Sequence, residues 1–194
     1  DLLPRMLIFI VKYTFILQGV GIVFFMLFFR EPEWGKRLYF SVFHAISAFC
    51  NAGFSTYTDS LMGYHDHLGV NLTTMTLIIG GGIGFIVAYE LRSKFIGKFF
   101  NKRKSSRLKP YHTFSLHTWI VLVTSGILIL GGALLIYSIE AYSGGNLSLL
   151  ESFFQSVTAR TAGFNTVDIG KLHNGTLTLI TGLMFIGEIG RAHV

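Results

Sequence analysis

Two six-residue segments have the composition needed to bind a dehydrated cation through backbone oxygens. Residues 51–56 read NAGFST (the first hexad) and residues 161–166 read TAGFNT (the second hexad), and each follows a short apolar segment containing Phe. Glycine, Asn and Thr favour turns over helix interior. Both hexads are nevertheless flanked by sequence that is apolar enough to lie within a membrane. Irregular backbone is tolerated at membrane depth only inside protein or beside a water-filled path. Because backbone carbonyls replace the water shell of K⁺ in channels, both hexads are predicted to be filter strands.

The titratable side chains do not predict a catalytic or transition-metal site. Of seven histidines, His65 and His67 lie in a polar loop, and no Cys or carboxylate cluster accompanies them. A membrane-embedded enzyme, the alternative function, would place ionisable groups inside its spans. The groups noted there are Lys12, Glu90 and His117, the last two near span ends. We therefore expect no enzyme and no covalently bound cofactor.

Composition indicates an all-α integral membrane protein. Hydrophobic residues make up 51% of the chain and charged residues only 13%, whereas soluble domains carry about 25% charged residues. The formal charge of +6 does not indicate nucleic-acid binding, because eight of the 16 Lys and Arg residues lie within residues 92–109. Such a basic loop beside a membrane is typically cytoplasmic and contacts anionic lipid. The chain is therefore predicted to be a multi-pass protein of the cell membrane.

The apolar segments follow the same order twice: a span, a half-helix too short to cross, a filter loop and a second span. Gly53 falls on Gly163 and Phe43 on Phe153 when the halves are aligned. The predicted organisation is two tandem repeats: residues 1–92 with the first filter strand, 93–112 as cytoplasmic basic loop, 113–187 with the second filter strand and a truncated end, and 188–194 as a tail. The first repeat contains a half-helix at 38–50 and a second span at 72–91, and the second repeat contains a half-helix at 147–159. The glycine run at 80–84 in the middle of the 72–91 span either permits close packing or marks a bend.

A cytoplasmic loop between the repeats sets the orientation of the hexads. The half-helices then enter from outside, and the hexads lie at their inner, C-terminal ends. Helix C-termini carry partial negative charge, which favours a cation.

The tail, residues 188–194, breaks an apolar span with ionisable groups. Its seven residues, EIGRAHV, correspond to a common sequencing adapter read in one frame. We expect the native chain to end near residue 187 and residues 188–194 to be a sequencing artefact, so no chemistry is assigned to the tail.

The two half-helix and hexad stretches, residues 43–55 and 153–168, resemble the Trk/Ktr/HKT superfamily of potassium transporters, and Ktr-type membrane subunits most closely. Residues 80–85 (GGGIGF) and 115–118 (SLHT) add to the resemblance, which covers nearly the whole chain up to residue 187. It implies that these are the second and third of four pore repeats. A glycine-rich gating loop and the first and fourth repeats would lie outside this chain.

The resemblance also implies the function and the partners. The function is potassium translocation through a carbonyl-lined filter in a monovalent-cation uptake system, with sodium as a second ion; a non-conducting scaffold subunit is a further alternative. The partners are the remaining repeats, a second copy in a homodimer, a cytoplasmic nucleotide-binding regulatory ring and membrane lipid.

The predicted site residues fall into two groups. The filter strands are Asn51, Ala52, Gly53 and Phe54 with Thr161, Ala162, Gly163 and Phe164, and the flanking residues are Ser55, Arg160, Asn165 and Asp168. Both Phe rings are expected to pack behind the filter, because a carbonyl lining requires side chains to turn away. For Arg160 and Asp168, a solvated vestibule pair and a salt bridge that braces the filter remain open, with Arg160 as an ion-repelling gate a third interpretation.

Overall fold

The computed structural model describes residues 2–100 and 114–191, with side chains described for residues 4, 6–94 and 114–187. These ranges are helical and contain no strand, which confirms the predicted all-α class. The described helices are α1 (Leu2–Phe28), α2 (Trp34–Phe49), α3 (Leu68–Gly82), α4 (Phe85–Phe100), α5 (Leu116–Tyr142), α6 (Leu149–Thr158) and α7 (Asn174–Arg191), with 3₁₀ turns at Met62–Tyr64 and Ile169–Lys171.

Two described helices are long and apolar enough to cross a membrane: Met6–Phe28, within α1, and α5. The number rises to three when α3 and α4 are counted as one broken span, and α7 adds a shorter apolar stretch, Asn174–Gly187. Large apolar side chains such as Phe15 and Leu130 are exposed on α1 and α5. Such surfaces suit contact with lipid or with further helices.

The predicted span at residues 72–91 is broken at its glycine run, because α3 and α4 meet at an angle of 102°. Gly84 adopts a φ of +87° at the break, a conformation that side chains disfavour. Gly81 lies so close to the carbonyl of Phe49 that any Cβ would overlap it. The hydroxyl of Tyr13 donates to the carbonyl of Gly80 at 2.8 Å. This backbone acceptor near the bend therefore has a hydrogen-bond partner.

The half-helices form the centre of the molecule. α2 packs against α1 and α3, while α6 packs against α5 and α3. Their inward faces are fully buried and include polar side chains such as His44 and Gln155 beside Phe154 and Phe164. The main hydrophobic core therefore surrounds the two half-helices and the hexads.

The predicted cytoplasmic loop is only partly described. Its first residues, up to Phe100, continue helix α4, whereas residues 101–112 lie outside the described residues. For the tail, the backbone of α7 runs to Arg191, and the side chains from residue 188 onward lie outside the described part.

Glu140 lies within a span, in addition to the ionisable groups that the sequence pattern indicated. It lies in the last turns of α5, is only 4% exposed, and accepts from the backbone N–H of His173 at 2.9 Å and from the hydroxyl of Thr176 at 2.6 Å. These bonds hold the start of α7 against α5 and satisfy donors at the N-terminus of α7.

Substitution Glu140→Leu is expected to destabilise the protein by about 2–4 kcal/mol, because it leaves two buried donors without an acceptor. Glu140→Gln keeps one side-chain oxygen and is expected to cost less. The measurement is the thermal unfolding midpoint in detergent. Ser138→Ala is the control, since that hydroxyl is exposed and bonds only within its own helix. Equal midpoints for Glu140→Leu and the control would contradict this role.

Candidate ion-coordinating site

The C-terminus of α2 sets the conformation of the first hexad. Asn51 adopts a φ of +52°, which Asn tolerates better than most residues. Its N–H donates to the carbonyl of Ala48 at 3.1 Å, and the N–H of Ala52 donates to the carbonyl of Ser47 at 2.9 Å. This pair of bonds is a Schellman cap. In the orientation that satisfies its amide, the Asn51 side chain also donates to the carbonyl of Ile78 in α3 at 3.2 Å.

The second hexad follows the C-terminus of α6, in the other half of the chain. Its N-terminus has a capping box formed by Ser148 and Glu151. Beyond its C-terminus the N–H of Ala162 donates to the carbonyl of Thr158 at 2.9 Å. Thr161 has a φ of +69°, and a β-branched residue in this region is an outlier that costs roughly 1–3 kcal/mol.

The two hexads lie against one another at their glycines. A Cβ added to Gly53 would overlap the carbonyl oxygen of Ala162 and stand 2.7 Å from the Cα of Gly163. Gly53 and Gly163 have φ values of +71° and +80°. The structure thus brings together the two segments that sequence analysis singled out.

The backbone between the half-helix and the Phe residue has a repeated pattern of φ signs. In both hexads the first and third residues are positive, and the alanine between them is not among the positive-φ residues. In a regular strand successive residues face opposite sides. A change of φ sign at every second residue removes this alternation, so successive carbonyl oxygens no longer have to point to opposite sides of the strand. In the described part of the chain, no protein donor reaches the carbonyl oxygens of the central pair in either hexad, which are Ala52, Gly53, Ala162 and Gly163.

Two hydroxyl groups that sequence reasoning missed hold the Phe carbonyls. Ser47 Oγ donates to the carbonyl of Phe54 at 2.8 Å, and Thr158 Oγ1 donates to the carbonyl of Phe164 at 2.8 Å. Both belong to the last turn of a half-helix. A Ser or Thr in that turn was the available signal, although hydroxyls there often bond within the helix.

The flanking residues Ser55 and Asn165 belong to one hydrogen-bonded connection between the halves. The buried imidazole of His44 bonds to Ser55 Oγ at 3.0 Å, and Ser55 Oγ donates to the carbonyl of Ser60 at 3.2 Å. Ser60 Oγ accepts from the N–H of Asn165 at 3.1 Å, and the N–H of Leu61 donates to the carbonyl of Asn165 at 2.9 Å. The loop after the first hexad therefore supports the second hexad.

The two Phe rings differ in their surroundings. Phe164 is fully buried, as predicted, and its ring stacks on His44 with centroids 6.3 Å apart. Phe54 is 69% exposed, which contradicts the expectation that it packs behind the hexad. The ring of the second hexad packs on the half-helix of the first half, and the described chain has no such half-helix beside Phe54.

Of the interpretations left open for Arg160 and Asp168, the structure does not show the salt bridge between them. Arg160 Nη2 donates to Ser125 Oγ of α5 at 2.9 Å and lines a cavity of about 540 Å³ beside the α3–α4 break. Asp168 pairs instead with Lys171 at 3.2 Å and caps the adjacent 3₁₀ turn through Gly170. The two side chains thus act at separate places.

The histidines of the loop between the first hexad and α3 have structural partners. His65 Nδ1 lies 3.0 Å from Glu151 Oε1, joining the first loop to the capping box of α6. His67 caps α3 by accepting from the N–H of Val70 at 3.3 Å. Within the described residues no group of three His, Cys, Asp or Glu side chains could hold a metal ion.

Comparison with known proteins gives consistent matches. The model of the TrkH family, described as a cation transport protein, matches residues 2–191. The chain is 41% identical over 161 residues to the Ktr system potassium uptake protein B of Bacillus subtilis. This alignment covers 79% of this chain and 33% of the relative.

Two further relatives match over more of the chain. Identity is 34% over 191 residues to the potassium/sodium uptake protein NtpJ of Enterococcus hirae, covering 94% of this chain and 39% of the relative. It is 34% over 188 residues to the Ktr system potassium uptake protein B of Vibrio alginolyticus, covering 92% and 38%. The chain therefore spans between about a third and two fifths of the length of these relatives. These matches confirm the resemblance: the chain is a multi-pass membrane protein that belongs to the TrkH family of cation transport proteins, which are transporters and not enzymes.

Proposed function

We propose that this chain supplies two of the four strands of a filter through which potassium crosses the membrane, within a monovalent-cation uptake system. The observation that carries the proposal is the apposition of the two hexads, with four central carbonyl oxygens that no donor of the described chain occupies. Such oxygens can replace the water around an ion. Transport of this kind requires dehydration and rehydration of the ion and no covalent step.

The order of elements supports a repeat as the structural unit. Long helix, half-helix, hexad and helix follow one another as α1, α2 and α3, and again as α5, α6 and α7. We assign residues 1–92 and 113–187 to two such repeats. The C-termini of α2 and α6 both lead into a hexad, and their partial negative charge favours a cation there.

Names of the relatives support the choice of ions. Two of them are named potassium uptake proteins and one a potassium/sodium uptake protein. We therefore propose potassium as the transported ion and sodium as a second one. A non-conducting scaffold subunit has less support, because a scaffold has no need of two apposed, strained backbone segments at its centre.

The partners are proposed from the family. The remaining repeats of a longer chain would complete the filter, and a second copy would form a homodimer in the lipid bilayer. A cytoplasmic nucleotide-binding ring would regulate the transporter, and the name of the Bacillus subtilis relative, a protein of a "Ktr system", is compatible with several components.

Uptake of rubidium tests the proposed function. A full-length transporter that carries this segment should restore rubidium uptake and growth at low potassium in cells that lack potassium uptake systems. The segment alone should not do so, because it supplies only two of four strands. Growth restored by the segment alone, in cells without a resident homologue, would contradict the four-strand arrangement.

Topology is a separate prediction that rests on the basic residues of 92–109. A reporter inserted within residues 101–112 should be cytoplasmic, and a tag near Glu33 should be accessible from outside. Protease protection in sealed vesicles of known orientation measures both. A loop accessible from outside would reverse the proposed direction of the half-helices.

A further inference from the structure

The half-helices hold each hexad at two points. The backbone carbonyl of Ser47 accepts from Ala52 N–H, while the Ser47 hydroxyl donates to the carbonyl of Phe54. Thr158 does the same for the second hexad: its carbonyl accepts from Ala162 N–H and its hydroxyl donates to Phe164. One residue of each half-helix therefore fixes the alanine N–H and the Phe carbonyl.

The equivalence of Ser47 and Thr158 does not follow from sequence alignment. With the hexads aligned, Ser47 falls on Val157 and Thr158 falls on Ala48. The ends of the two helices differ by one residue, since Ala52 reaches back five positions and Ala162 reaches back four. Two hydroxyls at non-equivalent positions thus make the same bond at 2.8 Å.

We propose that Ser47 and Thr158 determine the ion selectivity of the pathway by holding the Phe54 and Phe164 carbonyls against the half-helices. Of the hexad carbonyls, those of the two Phe residues are then held back by hydroxyl bonds, while the alanine and glycine carbonyls remain open to the ion. This inference rests on the proposed function, because it assigns the oxygens that line the proposed filter. Ser47 and Thr158 are positioning residues, since they act on the ion through the carbonyls that they orient.

Hydrogen-bond direction provides the physical reason. A carbonyl that accepts a hydroxyl bond from its half-helix has its oxygen oriented toward that hydroxyl. Without that bond the peptide group is free to rotate, and its oxygen can move toward the ion path. A mobile oxygen can follow the smaller sodium ion inward, whereas a fixed set of carbonyls keeps the spacing that suits potassium.

The two bonds are expected to differ in importance. The peptide group between Phe164 and Asn165 is held at both ends, because its N–H donates to Ser60 Oγ at 3.1 Å. In the described chain no bond holds the N–H of the corresponding peptide after Phe54. Removal of the Ser47 hydroxyl should therefore release its carbonyl more completely than removal of the Thr158 hydroxyl.

The test measures inhibition of rubidium uptake by sodium in the full-length transporter that carries this segment. The quantity compared is the ratio of the apparent sodium affinity to the apparent rubidium affinity. Ser47→Ala should raise this ratio about fivefold, the scale of one neutral hydrogen bond. Thr158→Val should give a smaller shift in the same direction. The conservative variants Ser47→Thr and Thr158→Ser keep a hydroxyl and should retain the unsubstituted ratio.

Matched controls remove helix hydroxyls elsewhere. Ser138→Ala and Thr178→Val each delete an exposed hydroxyl that bonds within its own helix, and both should leave the ratio unchanged. If Ser47→Ala and Thr158→Val lower only the amount of folded protein and leave the ratio unchanged, the hydroxyls are structural and the inference is wrong. If Gly53→Ala also leaves selectivity and affinity unchanged, the proposed filter itself is wrong.

Discussion

Gly53→Ala is expected to reduce the apparent potassium affinity of the full-length transporter by about a hundredfold or to abolish uptake. Gly53 has a φ of +71°, and its Cβ would overlap Ala162 and approach the Cα of Gly163 to 2.7 Å. Left-handed backbone costs an L-residue roughly 1–2 kcal/mol, and overpacking adds typically 1–3 kcal/mol. About 2.7 kcal/mol corresponds to a hundredfold change.

Gly163→Ala should have a smaller effect, about tenfold. Its φ of +80° imposes a similar strain, but its Cβ would meet nothing closer than the Cα of Gly53 at 3.3 Å. Gly126→Ala is the control, because a Cβ at that α5 position would have no neighbour within 4 Å. Rubidium uptake against concentration, at matched membrane expression, measures all three. Equal effects of the three substitutions would contradict the apposition of the hexads.

Gly81→Ala is expected to prevent stable folding. Its Cβ would overlap the carbonyl oxygen of Phe49 and lie 2.8 Å from the carbonyl carbon, and both are backbone atoms that cannot move aside as a side chain can. Relief requires α3 to separate from the end of α2, and α2 leads directly into the first hexad. We expect a loss of at least about 3 kcal/mol, the upper part of the range for overpacked sites.

Gly80→Ala is the matched comparison within the same glycine run. Its Cβ would meet Cδ1 of Leu17 at 2.9 Å, a side-chain atom that can rotate away. Elution as a single folded species from size-exclusion chromatography in detergent should survive Gly80→Ala and be lost with Gly81→Ala. A folded Gly81→Ala protein with normal thermal stability would mean that α3 and α2 are not in this close contact.

Sequence patterns predicted the class of fold and singled out the two hexads, because both depend on local composition. Membrane-grade apolar runs and short half-helices ending at a glycine are visible without tertiary contacts. The bend between α3 and α4 is different, because the glycine run is compatible with a straight, closely packed span or with a break. The φ of +87° at Gly84 and the angle of 102° distinguish the two.

Other features of the site depend on tertiary contacts that alignment of the halves does not reveal. Ser47 and Thr158 perform the same task from positions that do not align, because α2 and α6 end one residue apart relative to their hexads. Glu140 gains its role from the N-terminus of α7, which follows it by more than thirty positions. The exposure of Phe54 depends on which neighbouring helices the chain itself contains.

The contact between Asn165 and the loop after the first hexad has a consequence for how the sequence can change. Asn165 meets Ser60 and Leu61 through its own backbone N–H and carbonyl, so many side chains at position 165 should preserve this contact. At position 60 the contribution comes from a hydroxyl on a residue with a φ of +59°, which narrows the acceptable choices. The residue type at position 165 of the second hexad can therefore vary while the position of that hexad is retained. The limit on residue type applies instead to Ser60, in the other half of the chain.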